Sequence, residues 1–215
     1  MIEDALKITE IFYSLQGESS FVGLPTVFVR LTGCPLRCGY CDTAYAFKGG
    51  ENYTLSEVLS SVKAYQPRFV TVTGGEPLAQ PACVPLLKAL ADCGYRVSLE
   101  TSGALDISLV DPRITIVMDL KTPSSGECHR NRYDNLASLK VTDEIKFVIA
   151  NREDFDWAVT QIQNYDLDDK AQLLFSPCHG ILCNQSLADW IVADNIPARF
   201  QVQLHKYIWN EDRGR

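Results

Sequence analysis

Short runs of β-branched and aromatic residues alternate with longer amphipathic segments along most of the chain. The short runs predict strands. The longer segments, with apolar residues every three or four positions, predict helices. Several of the short runs are nearly continuously apolar, which is typical of parallel strands covered on both faces. The seven predicted strands are TVFVRLT (26–32), FVTVT (69–73), RVSLET (96–101), ITIVMDL (114–120), EIKFVIA (144–150), QLLFS (172–176) and RFQVQL (199–204).

Four of the longer segments predict helices. The first begins at a capping box in which Thr54 pairs with Glu57. A second is predicted to begin at Pro81 and to end before Gly94. The other two are NREDFDWAVTQIQNYD (151–166), with Phe155, Val159 and Ile162 on one face, and NQSLADWIVADN (184–195), with Leu187 and Ile191 on one face.

Strands and helices that alternate at this spacing predict right-handed βαβ units, a parallel sheet and an α/β fold class. The length of 215 residues fits a single domain, 1–215. Two topologies satisfy the pattern: a partial (β/α)6 TIM-like barrel and a doubly wound open sheet. Both place functional sites at the carboxyl ends of the strands.

The unusual polar and glycine-rich stretches all follow predicted strands. Because the carboxyl ends of parallel strands meet at one rim, we expect these stretches to build one site. They are GCPLRCGYCDT (33–43), GGEP (74–77), SG (102–103), Lys121 with PSSG (123–126), SPCHG (176–180) and HKY (205–207).

Composition narrows the class of protein. The net charge of −7 and the pI near 5.0 argue against a broad nucleic-acid surface, but not against a small anionic substrate held by a few Arg and Lys. The first 18 residues lack the basic and apolar regions of a signal peptide. No apolar run reaches the roughly 18 residues of a membrane span. We therefore expect a cytoplasmic protein whose eight cysteines are metal ligands or packing residues and not disulfides.

Three of those cysteines, Cys34, Cys38 and Cys41, lie within eight positions. A structural zinc site needs four ligands. The stretch SPCHGILC (176–183) offers Cys178, His179 and Cys183 as a distant fourth donor, so zinc remains an alternative. An iron–sulfur cluster held by three thiolates would instead leave one iron open to a substrate or cofactor. The remaining thiols are interpreted as packing or surface residues: Cys83, Cys93, Cys128, Cys178 and Cys183.

The C-x3-C-x2-C spacing, with Tyr40 before the last cysteine, resembles the signature of radical S-adenosylmethionine (SAM) enzymes. GGEP after the next strand resembles their second hallmark. The resemblance implies the partial (β/α)6 barrel and a [4Fe-4S] cluster that cleaves SAM to a 5′-deoxyadenosyl radical. It implies that Glu76 neutralises the SAM ammonium. In the SAM-binding segment where relatives carry Ser-Pro-Lys, this chain has Asp119, Leu120 and Lys121, so only the lysine is kept. The implied cofactor-binding residues are Tyr40, Cys41, Asp42, Gly74, Gly75, Glu76, Ser102, Asp119, Leu120 and Lys121.

A longer resemblance links the chain to the 7-carboxy-7-deazaguanine synthase family. It runs through residues 12–43, TVTGGEPL, ETSG, DLKTPSSG and QLHKYIW. It implies Mg²⁺-assisted ring contraction of 6-carboxy-5,6,7,8-tetrahydropterin with release of ammonia, an external electron donor such as flavodoxin, and a homodimer. Thr43 would hold the Mg²⁺, and the extension 1–25 would contribute to the substrate site. The implied substrate-binding residues are Leu15, Gln16, Gly17, Glu18, Arg30, Thr73 and His205.

Other interpretations stay open at this point. A glycyl-radical activase uses a similar barrel, and a zinc or iron–sulfur binding module would need no catalysis. Arg30 would equally suit a salt bridge at the rim, Thr43 a helix cap, and His205 with Lys206 a solvated strand edge. The tail 205–215 ends in NEDRGR, which is charged and is expected to be mobile.

Overall fold

Residues 5–210 and 212–215 are described by the structure, a computed structural model. The strands are β1 (Ala5–Leu15), β2 (Pro25–Leu31), β3 (Glu51–Thr54), β4 (Phe69–Gly74), β5 (Arg96–Thr101), β6 (Thr115–Asp119), β7 (Glu144–Ile149), β8 (Gln172–Pro177) and β9 (Arg199–Phe200). The α-helices are α1 (Leu55–Ala64), α2 (Cys83–Asp92), α3 (Arg152–Tyr165), α4 (Asn184–Ala193) and α5 (Leu204–Trp209).

The strands form one sheet in the order β3-β1-β2-β4-β5-β6-β7-β8-β9. Strands β2 and β4 to β9 are parallel, whereas β1 runs antiparallel to both β2 and β3. The parallel strands keep their order along the chain, without the reversal that marks the switch point of a doubly wound sheet. The predicted partial barrel is therefore confirmed, and the doubly wound alternative is wrong.

Each central strand turns an apolar side toward the helices and a polar side away from them. In β4, Val70 and Val72 pack in one buried cluster with Leu86 and Leu87 of α2. A second cluster joins the other half of the sheet to α3 and α4. The opposite face carries polar side chains and encloses a cavity, so the expectation of apolar cover on both faces is wrong there. These polar positions are Arg30, Thr73, Glu100, Asp119, Lys146 and Ser176.

Most predicted elements are present, with shifts at their ends. The capping box at Thr54 is confirmed, because Glu57 N donates to Thr54 Oγ1 (3.3 Å) and Thr54 N donates to Glu57 Oε2 (2.7 Å). The helix expected from Pro81 begins two residues later. The last predicted strand, 199–204, is wrong beyond Phe200, since α5 begins at Leu204. His205 therefore lies on a helix and not on a strand edge.

The sequence did not predict β1 or β3. Leu6 and Ile8 begin a period-2 pattern, but the register of β1 against β2 shifts between Ile8 and Glu10, which breaks the alternation. Both strands also pair antiparallel, outside the repeated βαβ pattern. Strand β1 leads directly into residues 16–18 at the cavity. Among the described residues, no helix has both the length and the apolar character needed to cross a membrane.

Candidate active site

A cavity of about 550 Å³ lies on the polar face of the sheet, within the size range of small-molecule sites. Nearly all the predicted site residues lie on the wall of this cavity. The exceptions are Glu76 and Leu120, which are buried and do not line the cavity. The predicted residues that line it are Leu15, Gln16, Gly17, Glu18, Arg30, Cys34, Cys38, Tyr40, Cys41, Asp42, Thr43, Thr73, Gly74, Gly75, Ser102, Asp119, Lys121 and His205.

The cysteine loop connects β2 to a short 3-10 helix, Ala44–Phe47. Cys34, Cys38 and Cys41 are free, partly buried thiols on the cavity wall. In the described part of the chain, no three His, Cys, Asp or Glu side chains converge as ligands of one metal ion. A four-iron cluster takes one thiolate per iron, so three thiols on one loop fit a cluster that leaves one iron open to another ligand.

The GGEP loop packs directly against the cysteine loop. Glu76 N donates to Gly33 O at 2.8 Å. A Cβ on Gly75 would lie 2.3 Å from Gly33 O and 2.7 Å from the Cβ of Cys34. Glycine is required at position 75 because the two backbones touch there. The two sequence motifs therefore fix each other in space.

Glu76, which the resemblance assigns to the SAM ammonium, is bonded to the protein itself in this structure. Its carboxylate is fully buried and accepts hydrogen bonds from Thr101 Oγ1 (2.9 and 3.0 Å), Ser102 N (2.7 Å) and Leu78 N (3.0 Å), as well as from Ser102 Oγ. With its acceptors used in this way, Glu76 holds the loop after β5 in place. Ser102, which Glu76 positions, does line the cavity.

Arg30 forms the salt bridge that one interpretation expected, and it also lies on the cavity wall. Its Nε is 2.7 Å from Glu10 Oε1, which also accepts from Tyr45 OH (2.8 Å). The guanidinium carbon lies 5.9 Å from the ring centroid of Phe12. Phe12 in turn stacks on Phe28 at 4.9 Å. The salt bridge thus orients an arginine on the cavity wall beside an aromatic surface suited to a planar ring.

Two carboxylates, Glu18 and Glu100, lie on the same wall. Glu100 accepts from Thr73 Oγ1 (3.0 Å) and Gln16 Nε2 (3.1 Å), and burial, followed by the charge of Glu18, raises its pKa. Glu18 pairs with Lys146 at 2.9 Å. Sequence reasoning missed Glu100 and Lys146. The available signal was a charged residue in the interior of a predicted strand.

Asp119, at the end of β6, and Lys121, two residues later, form an ion pair at 2.9 Å. Burial opposes the charge of Lys121, but Asp119, Cys38 and Tyr40 together outweigh it and raise the pKa of Lys121. Asp119 Oδ1 is buried without a hydrogen-bond partner among the described residues. An unpaired buried acceptor on a cavity wall fits a ligand that donates a hydrogen bond. Tyr40 closes this side, with its hydroxyl 3.4 Å from Thr122 Oγ1.

Asp42 connects the cysteine loop to the C-terminal helix. It accepts from Thr43 Oγ1 (2.8 Å) and Gln203 Nε2 (3.2 Å) and lies 3.4 Å from Lys206 Nζ. Burial opposes its ionisation, yet these hydrogen bonds and the lysine lower the pKa of Asp42 to about 2. The Thr43 side chain does not cap the 3-10 helix. The tail, expected to be mobile, instead lines the cavity over residues 212–215, with Arg213 Cζ 4.2 Å from the Tyr45 ring centroid.

The partial barrel and its three-cysteine loop define a radical SAM protein, and residues 28–133 match the radical SAM superfamily. The crystal structure of QueE from Escherichia coli shares the fold, with a TM-score of 0.79 and 23% identity over 94% of this chain and 95% of that one.

Relatives in sequence are more specific. The chain is 45% identical to the 7-carboxy-7-deazaguanine synthase of Chlorobaculum tepidum, over 98% of this chain and 97% of the relative. It is 40% identical to that of Koribacter versatilis, over 96% of this chain and 98% of the relative. The chain belongs to the 7-carboxy-7-deazaguanine synthase family.

Proposed function

We propose that this protein is a 7-carboxy-7-deazaguanine synthase, a carbon–nitrogen lyase that contracts the ring of 6-carboxy-5,6,7,8-tetrahydropterin and releases ammonia. The observation that carries the proposal is one continuous cavity. It brings the cysteine loop, Arg30 beside an aromatic wall, and the Glu18–Glu100 pair together around a space for ligands. The cysteine loop would hold the cluster. Arg30 would bind the carboxylate of a carboxylated pterin, and the Glu18–Glu100 pair would bind its polar edge.

The substrate is recognised by groups that complement each part of it. Arg30 binds the carboxylate through a charge-assisted, bidentate contact. Glu18 accepts from the amino and amide N–H groups of the ring, together with the backbone of residues 15–17. Thr73 and His205 complete the substrate wall. The extension 1–25 contributes to the substrate site through residues 15–18. Its first four residues lie outside the described part of the chain.

Cys34, Cys38 and Cys41 would hold a [4Fe-4S] cluster, and Thr43 would supply one oxygen ligand to Mg²⁺. When bound, the cluster and SAM together supply the radical chemistry that removes a hydrogen from the substrate, with an electron from an external donor such as flavodoxin. Asp119 Oδ1, Lys121 and the backbone at Gly75 are the groups that would contact SAM.

The protein's own part is to orient the substrate and to exclude water. Gln203 and Lys206 bind Asp42, so the helix that carries His205 is attached to the cysteine loop. Glu76 keeps Ser102 in position. The two sides of the cavity are thereby held at a fixed separation. We further propose that the enzyme acts as a homodimer in the cytoplasm.

Anaerobic reconstitution followed by product analysis tests this function. With SAM, Mg²⁺, dithionite and 6-carboxy-5,6,7,8-tetrahydropterin, we expect 7-carboxy-7-deazaguanine and ammonia in equal amounts, with SAM regenerated. Cys38→Ala should abolish both brown absorbance near ~400 nm and turnover, because one cluster ligand is lost. Cys93→Ala, which removes an exposed thiol, is the matched control and should leave both unchanged.

Two other outcomes would contradict the proposal and support a different function. Net consumption of SAM with a radical on a partner protein, and no deazapurine, would indicate a glycyl-radical activase. A colourless protein that binds one zinc per chain would indicate a metal-binding module. The Arg30 and Glu18 side chains on the cavity wall favour the small-molecule reaction over both.

A further inference from the structure

Lys146 is a buried lysine on the cavity wall that the mechanism above does not use. It lies in the middle of β7, and its side chain is 14% exposed. The register of β6 against β7 places it opposite Asp119. Its Nζ is 2.9 Å from Glu18 Oε2 and 3.9 Å from Asp119 Oδ2. One ammonium therefore joins a residue on the substrate side to a residue on the cofactor side.

A buried ammonium is costly unless it is paired with charge of opposite sign. Burial opposes the charge of Lys146, but Glu18, Asp119 and Glu100 outweigh it and raise the pKa of the lysine. Conversely, Lys146 offsets the negative charge of these carboxylates together with Lys121, which pairs with Asp119. Carboxylates that share a site without a cation hold a proton between them. The lysine thus reduces the repulsion among these carboxylates.

The groups that face Lys146 come from several elements. Negative groups outnumber positive ones near its ammonium. The acidic groups are Glu18 from the loop after β1, Glu100 from β5, Asp119 from β6 and Asp42 from the cysteine loop. The basic groups are Lys121 beside Asp119, and His205 and Lys206 from α5.

We propose that Lys146 is a positioning residue for substrate, which acts through Glu18. Its ammonium holds the Glu18 carboxylate through the 2.9 Å ion pair, so that the carboxylate is directed at adjacent N–H donors of the ligand. The ligand class this arrangement recognises is a heterocycle with an amino group next to a ring N–H, as in a pterin, because an ionised carboxylate only accepts. The inference rests on the proposed function.

Ligand binding tests this role without relying on turnover. The probe is 6-carboxypterin, titrated calorimetrically under argon into reconstituted enzyme with SAM. In Lys146→Met we expect a Kd about tenfold higher near neutral pH, the size of coupling between charges in contact. Lys146→Arg, which keeps the charge, should bind within about threefold of wild type.

Lys140→Met is the matched control for loss of a lysine ion pair. Lys140 pairs at 2.8 Å with the buried Asp143 just before β7, at the amino end of the sheet. This variant should lose stability but bind 6-carboxypterin with the wild-type Kd. If Lys146→Met does not fold, Lys146→Gln provides the same measurement with a polar side chain.

A double variant tests whether Lys146 acts through Glu18. If it does, Glu18→Gln combined with Lys146→Met should bind no more weakly than Glu18→Gln alone. Additive losses, or a Lys146→Met variant with the wild-type Kd at every pH, would overturn the inference. Wild-type enzyme that binds 6-carboxypterin but forms no deazapurine from the tetrahydropterin would overturn the proposed function, whereas the binding series would still test the Lys146–Glu18 coupling.

Discussion

Gly17 lies directly against the ring of His205: a Cβ built on Gly17 would be 2.0 Å from His205 Nδ1 and 2.9 Å from His205 Cγ. Leu204 N also donates to Gly17 O at 2.9 Å. The loop after β1 and the first turn of α5 are therefore in contact through backbone and side chain. These two segments close the same side of the cavity, although Gly17 and His205 lie almost 190 positions apart in the sequence.

Gly17→Ala should move the His205 ring or α5, because a methyl group cannot occupy the space that the imidazole fills. We expect kcat/KM to fall by about 100-fold, as is typical of a misplacement near 1 Å at an active site. Thermal unfolding separates this cause from a loss of local contacts. The Gly17→Ala substitution should lower Tm in the wild-type background but not in a His205→Ala background, where the clash is removed. An equal loss in both backgrounds would contradict the steric explanation.

Glu76→Gln tests the structural role of the carboxylate in the GGEP motif. The amide retains one acceptor oxygen but adds an NH₂ group that faces donors from Ser102 and Thr101. We expect a loss of about 1–3 kcal/mol in the free energy of unfolding, the typical cost of unsatisfied buried hydrogen bonds. Urea unfolding of the unreconstituted protein measures it.

Glu57→Gln is the control for that experiment, because Glu57 is exposed and glutamine also completes a capping box. It should change stability by only a few tenths of a kcal/mol. If Glu76→Gln is as stable as wild type but binds SAM more weakly, the carboxylate acts on the cofactor directly, as the sequence resemblance implies.

The contrast between Glu76 and Lys146 shows how far sequence could reach. Local spacing identified the cysteine loop, GGEP and most strands, because those patterns are contiguous. Whether Glu76 points into the cavity depends on Thr101 and Ser102, 25 and 26 positions away. The pairing of Lys146 with Glu18 spans 128 positions. Periodicity carries no information about such contacts. The Lys146–Glu18 pair, moreover, forms only when β1 joins the sheet and brings the residues after it to the cavity.

Glu100→Gln should change how stability depends on pH. The pKa of Glu100 in the folded protein is raised above the ordinary 4.5, chiefly by burial. The unfolded chain therefore loses its proton first, and wild-type stability falls as pH rises from about 4.5 toward the folded pKa. A neutral amide removes this slope, so Glu100→Gln should gain stability relative to wild type over that window, by up to ~1.4 kcal/mol per pH unit.

Urea unfolding at a series of pH values checks this, with Glu51→Gln as an exposed control that should track wild type. A constant difference between Glu100→Gln and wild type across the range would show that Glu100 is ionised in the folded protein.

Arg30→Lys tests the recognition of the substrate carboxylate. Lysine keeps the positive charge and can pair with Glu10, but it lacks the planar fork that binds a carboxylate through two hydrogen bonds. We expect KM for 6-carboxy-5,6,7,8-tetrahydropterin to rise by about tenfold or more, which corresponds to roughly 1.4 kcal/mol. The kcat value should change less, because the lost contact is present in both the bound substrate and the transition state.

Arg96→Lys provides the comparison, since Arg96 lies outside the cavity over the rings of Phe21 and Phe69. It should leave KM unchanged. A carboxylate-free pterin supplies a second check: if Arg30 binds the carboxylate, Arg30→Lys and wild type should bind that ligand with the same affinity. A large loss of affinity for the carboxylate-free ligand would mean that Arg30 acts mainly by holding Glu10 and the Phe12 wall in place.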